Sequence, residues 1–299
     1  MKGFFLHFPV LLREVIDYLD PVPGDVILDA TLGGGGHAVE ILKKIVPGGR
    51  LIALDRDPEA VERGRQRLEN FKDEVIFIND DFRNVDRVLK RAGIEGINGA
   101  IFDLGMSSFQ VDDGRRGFSF LKDGPLDMRF NVSQKLSAAD VVNRSGKEEL
   151  ADIIKRYGEE KHARLVAGAI LAARRKKRIK TTGELADIIL KAAGGKYRKQ
   201  RLHPACRAFQ ALRIYVNDEL AALEEAADKT VFYLRPGARM CVISFHSLED
   251  RIVKNIFRGM AKRGEVTLVT RKPVTPGREE VRGNPRARSA KLRVAERVI

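Results

Sequence analysis

The sequence predicts an α/β protein in which a parallel sheet is assembled from both ends of the chain around an inserted all-helical domain. Three observations carry this expectation. Over roughly the first hundred residues, short β-branched runs alternate with longer amphipathic ones, the pattern of βαβ units. From 114 to 215 the periodicity is helical, with no strand pattern. Strand patterning then resumes near Met240. The expected division is therefore a sheet domain from 1–113 and 216–299, and a helical domain from 114–215.

The elements follow in order. Val26, Ile27 and Leu28 form a buried strand, and the glycines Gly33 to Gly36 turn the chain into a helix that reaches about Ile45. Residues 51–54 make a second strand ending at Asp55. Asp57 and Pro58 then cap and open a helix, the acid accepting free N–H groups and the proline occupying a position that needs none. A third strand lies at 75–78 and a helix at 85–91, and Ala100, Ile101 and Phe102 form a fourth strand closed by Asp103. The insertion shows helical periodicity at 150–156, 163–174 and 184–193. After it come a helix at 218–234, a turn at Pro236 and Gly237, a strand at 240–244, a loop at 272–288 and a last strand at 292–298.

Composition narrows the function classes. With 299 residues, 43% of them hydrophobic, the chain can bury substantial cores, and no apolar run approaches the roughly 20 residues of a membrane span. Only Cys206 and Cys241 are present and they are not in C-x-x-C spacing, which predicts a cytoplasmic protein without a disulfide framework or metal centre. The net charge of +14 is localised. Across 174–215, 13 Lys and Arg face only Glu184 and Asp187; across 271–299, nine face three acids; the remainder is slightly acidic. Charge distributed this way suits a polyanionic partner, although a run such as 174–178 also fits a solvated helix face.

The glycine turn between strand and helix lets a ligand approach backbone N–H groups at a helix start. Asp55, 22 residues beyond Gly33, stands where an acid accepts from ribose hydroxyls. Gly33, Gly35 and Ala38 also satisfy the dinucleotide pattern G-x-G-x-x-A, so an adenosine-bearing cofactor follows before its class does. The other strand ends distinguish the classes. Asp80, Asp81 and Phe82 follow strand three and Asp103 ends strand four, and acids suit a sulfonium and an ammonium better than a pyrophosphate. Helix capping remains the alternative for Asp80 and Asp81. Asp29 opens the pattern [D/E]-x-G-x-G-x-G, with Thr31 in place of its first glycine.

HFPVLLREV from His7, DATLGGGGH from Asp29, ALDRDPEA from Ala53 and DLGMSSFQVDDGRRGFSF from Asp103 resemble the RsmH (MraW) family. So do DGPLDMR, HPACRAFQALRIYVNDEL, ISFHSLEDRIVK and NPRARSAKLR, and together these strings span nearly the whole chain. The resemblance implies a Rossmann-like class I S-adenosylmethionine-dependent methyltransferase sheet with an inserted helical domain. It further implies N4-methylation of a cytidine in the decoding region of 16S ribosomal RNA, with that RNA or the small subunit as partner. By the family pattern Gly35, Gly36, His37, Asp55, Phe82, Asp103 and Gln110 contact the cofactor. Phe109 and Cys206 depart from it, standing where proline and threonine are common. Attack by an exocyclic amine on a sulfonium methyl calls for acceptors just after strand four, where Asp103, Ser107 and Ser108 are nearest; Asp112, Asp113 and His246 are further candidates that capping explains equally well.

Overall fold

A computed structural model describes residues 9–194 and 203–298. His7 and Phe8 of the first motif lie outside the described residues, as do Lys196, Arg198, Lys199 and Arg201 of the first basic stretch. The chain divides into two compact units, one of residues 1–105 with 220–299 and the other of 106–219.

The first unit is a seven-stranded sheet in the order β3-β2-β1-β4-β5-β7-β6. Its parallel part comprises β1 (Val26–Asp29), β2 (Arg50–Asp55), β3 (Val75–Asn79), β4 (Ile97–Asp103) and β5 (Leu234–Ser244). β7 (Lys291–Arg297) runs antiparallel between β5 and β6 (Val266–Leu268), so the sheet is mixed at one edge. β6 is too short to stand out in the sequence. The turn expected at Pro236 and Gly237 is instead an irregularity within β5, where pairing with β4 shifts register between Ile97 and Gly99.

Hydrophobic strands dictate helices on both faces. Leu28, Ile52, Leu54 and Phe102 are fully buried in one core and Ile27, Leu51 and Ile101 in the other, as period-two alternation requires. Each is worth roughly 1.5–3 kcal/mol relative to exposure. α1 (Leu12–Leu19) and α2 (Gly36–Ile45) contribute to the second core; α3 (Pro58–Arg67) is capped by Asp57, which accepts from Glu59 N–H, and α4 (Val85–Arg91) follows β3.

The second unit is helical, comprising α5 (Ser108–Asp112), α6 (Ala138–Arg144), α7 (Lys147–Gly158), α8 (Ala163–Lys176), α9 (Thr182–Ala193) and α10 (Ala205–Asn217). Its only strand-like pairing among the described residues is an isolated bridge, Pro125 with Thr181. Leu150, Ile154, Ile170, Leu185, Ile189 and Leu212 fill its core. Two of the long sequence motifs serve this packing. Asn217 accepts from Phe130 N–H at 2.9 Å and donates to the Met128 carbonyl at 2.7 Å, holding Met128 in a left-handed conformation at φ +61°. Arg213 and Glu219 form a buried bidentate pair at 2.9 and 3.0 Å. α11 (Glu219–Tyr233), α12 (Ser247–Lys262) and α13 (Arg278–Gly283) complete the chain. Among the described residues no helix is long and apolar enough to cross a membrane.

Candidate active site at the carboxyl edge of the sheet

The carboxyl ends of β1, β2 and β4 bring acids and glycines to one edge of the first unit. Gly33 and Gly35 take positive φ of +51° and +71°, which opens the turn, and α2 starts at Gly36. Asp55 fixes this loop: its Oδ2 accepts from Gly33 N–H at 2.8 Å and its Oδ1 from Asp57 N–H at 2.9 Å. Burial raises its carboxyl above the usual range.

Asp103 ends β4, with its backbone N–H donating to Thr31 Oγ1 at 2.6 Å. Threonine in place of the pattern's first glycine thus ties the β1 loop to the β4 end. Asp103 Oδ2 lies 3.5 Å from His37 Nδ1, and His37 Nε2 lies 3.0 Å from the Val10 carbonyl, which can only accept. The imidazole therefore carries a proton on Nε2. Asp103 Oδ1 is buried with no hydrogen-bond partner. Burial first, and then the Asp29 and Glu249 carboxylates, push Asp103 up to about 8. Burial likewise raises Asp29 to about 7, offset in part by the Thr31 N–H it accepts at 3.1 Å.

The remaining candidates fall into separate roles. Phe82 follows β3 and meets Phe102 edge-on, with ring centroids 5.9 Å apart. Asp80 accepts from Asp81 N–H and Asn84 Nδ2, and Asp81 caps Arg83 N–H and pairs with Arg56 at 3.6 Å; both are turn-forming acids. His246 caps α12, and Asp113 caps the turn at Arg115. In the second unit, Ser107 and Gln110 form a reciprocal capping box on α5: Ser107 Oγ accepts from Gln110 N–H at 3.3 Å, and Gln110 Oε1 from Ser107 N–H at 3.0 Å. Glu249 was missed by sequence reasoning. Nothing in an acid within a helix's first turn distinguishes a cap from a carboxylate facing a site.

The MraW methylase family matches residues 4–298. The chain belongs to that family. It is 48% identical over 292 residues to the ribosomal RNA small subunit methyltransferase H of Persephonella marina, covering 98% of this chain and 99% of the relative. To the protein of the same name from Finegoldia magna it is 45% identical over 311 residues, covering 99% of each. A solved structure assigned as an rRNA methylase, from Clostridium thermocellum, shares the fold with a TM-score of 0.50 at 13% identity, covering 98% of this chain and 100% of that one.

This MraW-family chain is a methyltransferase with the class I sheet, and its cofactor is S-adenosylmethionine. The residues present suit that cofactor. An unpartnered carboxylate oxygen on Asp103 fits a cationic ligand, and the open glycine turn with Asp55 beside it fits an adenosine. Among the described residues no group of three His, Cys, Asp or Glu is arranged to hold a metal.

Proposed function

We propose that this methyltransferase methylates N4 of a cytidine in the decoding region of 16S ribosomal RNA, acting in the cytoplasm on that RNA or on the small subunit. The names of its relatives support the RNA class. The observation that carries the chemistry is Asp103 Oδ1, an acceptor without a partner at the end of β4.

S-adenosylmethionine supplies an electrophilic methyl on a positively charged sulfur. In this reading Gly35, Gly36, His37, Asp55, Phe82, Asp103 and Gln110 hold it. The cytosine amine conjugates with its ring and is a poor nucleophile, so the protein contributes orientation and hydrogen-bond acceptance as the nitrogen becomes tetrahedral. Asp103 accepts that proton, and Ser107 is a second acceptor, because its hydroxyl oxygen keeps a lone pair beyond the one used for the Gln110 cap. His37 Nδ1 lies 3.5 Å from Asp103 Oδ2. The helical unit grips the RNA backbone through Arg175 and Lys176 of α8, whose side chains make no ion pair or hydrogen bond among the described residues.

Carbon methylation at C5 would need a thiolate adding to C6. Cys241 is buried, with its thiol pushed up to about 12, and burial also raises Cys206. Nucleoside analysis by mass spectrometry of small-subunit rRNA treated with purified enzyme and cofactor tests the proposal. N4-methylcytidine is the expected product, and 5-methylcytidine or no methylation would overturn it.

A further inference from the structure

Several surface cations of this protein are held by its own acids. Arg263 pairs with Glu265 at 2.8 Å and Asp228 at 3.9 Å, Lys291 and Arg293 both hold Asp250, and Lys177 holds Glu184 at 2.7 Å. The outer face of α12 carries a row of cations that are not held in this way. Arg251, Lys254, Arg258 and Lys262 recur at steps of three or four residues and so share one side of the helix. Lys254, Arg258 and Lys262 make no ion pair or hydrogen bond among the described residues.

The second half of that row borders a groove of about 740 Å³ lined by Asn255, Arg258, Gly259, Ala261, Lys262 and Leu268. No acid lines it. The floor is open at Gly259, where a Cβ would meet only the end of Arg263 at 3.4 Å. At about 1.5 Å rise per residue, Arg258 and Lys262 are spaced about 6 Å along the helix axis, and Arg258 stands about 18 Å from the His246 cap at the sheet's carboxyl edge. The groove is therefore remote from the candidate methyl-transfer site. It is also open, with a linear array of donors and no enclosing cage, which suits an extended polyanion better than a single small anion. Asn255 adds a neutral donor, as phosphate- and sugar-contacting surfaces commonly do. β6, the edge strand beside it, spans only Val266–Leu268, too little to recruit an extended peptide by strand pairing.

We propose that the groove between α12 and β6 is a second RNA-backbone site, in which Arg258 and Lys262 each take a phosphate and Asn255 hydrogen-bonds to the same strand. The proposal rests on reading the chain as an enzyme that acts on RNA. Backbone recognition is independent of sequence, so polyuridylate is a sufficient probe. Its binding is measured at several salt concentrations for the wild type, R258E/K262E and the charge-keeping R258K/K262R, with thermal melting to establish that each is folded. The reversed pair should bind more weakly and lower the log–log salt slope by about 1.4, at about 0.7 per lost single-strand contact. R258K/K262R should keep the wild-type slope. R258Q/K262Q repeats the measurement if the reversed pair melts early. A reversed or neutralised pair with the wild-type slope overturns the groove site. Nucleoside analysis of rRNA is scored separately: loss of the function reading leaves the slope comparison intact, and unchanged slopes leave the methylation result intact.

Discussion

Replacing Asp103 by asparagine should flatten most of the pH dependence of cofactor binding. Burial and the Asp29 and Glu249 carboxylates push the Asp103 carboxyl up to about 8, so in the empty protein at neutral pH it is mainly protonated. A cationic ligand held by charge requires the ionised form. Ionising the group about one pH unit below its pKa costs about 1.4 kcal/mol, which weakens binding about tenfold relative to alkaline solution. Binding then releases a proton, so affinity rises with pH, by about tenfold per unit below the titration and little above it. Calorimetry of S-adenosylmethionine across this range, with the wild type and Asp103→Asn in parallel, cancels titrations belonging to the ligand. Asp103→Asn should bind weakly with a shallower profile, the residual slope coming from Asp29. Glu249→Gln removes a like charge and should move the wild-type midpoint to lower pH. Identical pH slopes for wild type and Asp103→Asn, or tightest wild-type binding in acid, would refute the assignment.

Four further outcomes follow. Asp55→Ala should abolish cofactor binding and also lower stability by about 1–3 kcal/mol in denaturant titrations, because Gly33 and Asp57 N–H groups lose their acceptor. Arg175→Glu with Lys176→Glu should weaken rRNA binding and reduce the salt slope by roughly 0.7–0.9 per contact with no change in melting, as read by filter binding. Arg174→Glu should instead lower the melting temperature, since Arg174 donates to the Val142 carbonyl at 2.8 Å. Glu219→Gln should cost about 3–5 kcal/mol of stability, measured by chemical denaturation, by removing the carboxylate charge that the buried Arg213 holds in a bidentate pair.

The parallel part of the sheet could be read from the sequence because its strands are buried on both faces and its helix caps have distinctive chemistry. The helix over 85–91 is found with the expected bounds, and Asp57 caps α3 as its position beside Pro58 implies. Context decided the rest. β6 has three residues, and the register shift inside β5 absorbs a Pro-Gly pair that reads as a turn in isolation. α10 was visible as a motif and not as a helix, because its small residues and buried Arg213 and Asn217 blur the apolar stripe. In the basic stretch over 174–215, Lys177 pairs with Glu184, Arg178 with Asp140 at 3.8 Å and Arg207 with Glu160 at 3.7 Å. Charge counting cannot separate such committed cations from free ones, since their partners lie elsewhere in the chain.

The acids at the sheet edge make a last prediction about the empty protein. Asp29 and Asp103 have folded-state values of about 7 and about 8, both above the unfolded range near 4. The native state therefore binds protons that the unfolded chain releases, and these two groups contribute stability that is lost as pH rises from about 4 through about 8. Asp113, Asp140, Asp250 and Glu184 are shifted the other way by their cationic or hydroxyl partners, so their contribution is lost only in acid, below the unfolded range. The two windows do not overlap. Between about pH 5 and about pH 9 the empty protein should melt at progressively lower temperature, and saturating S-adenosylmethionine should flatten that decline, because the cation stabilises the ionised Asp103. Scanning calorimetry at constant ionic strength measures both curves. A melting temperature of the empty protein that rises through this range would show that the edge carboxylates ionise in the folded state without penalty, and the electrostatic account of the cofactor site would fall with it.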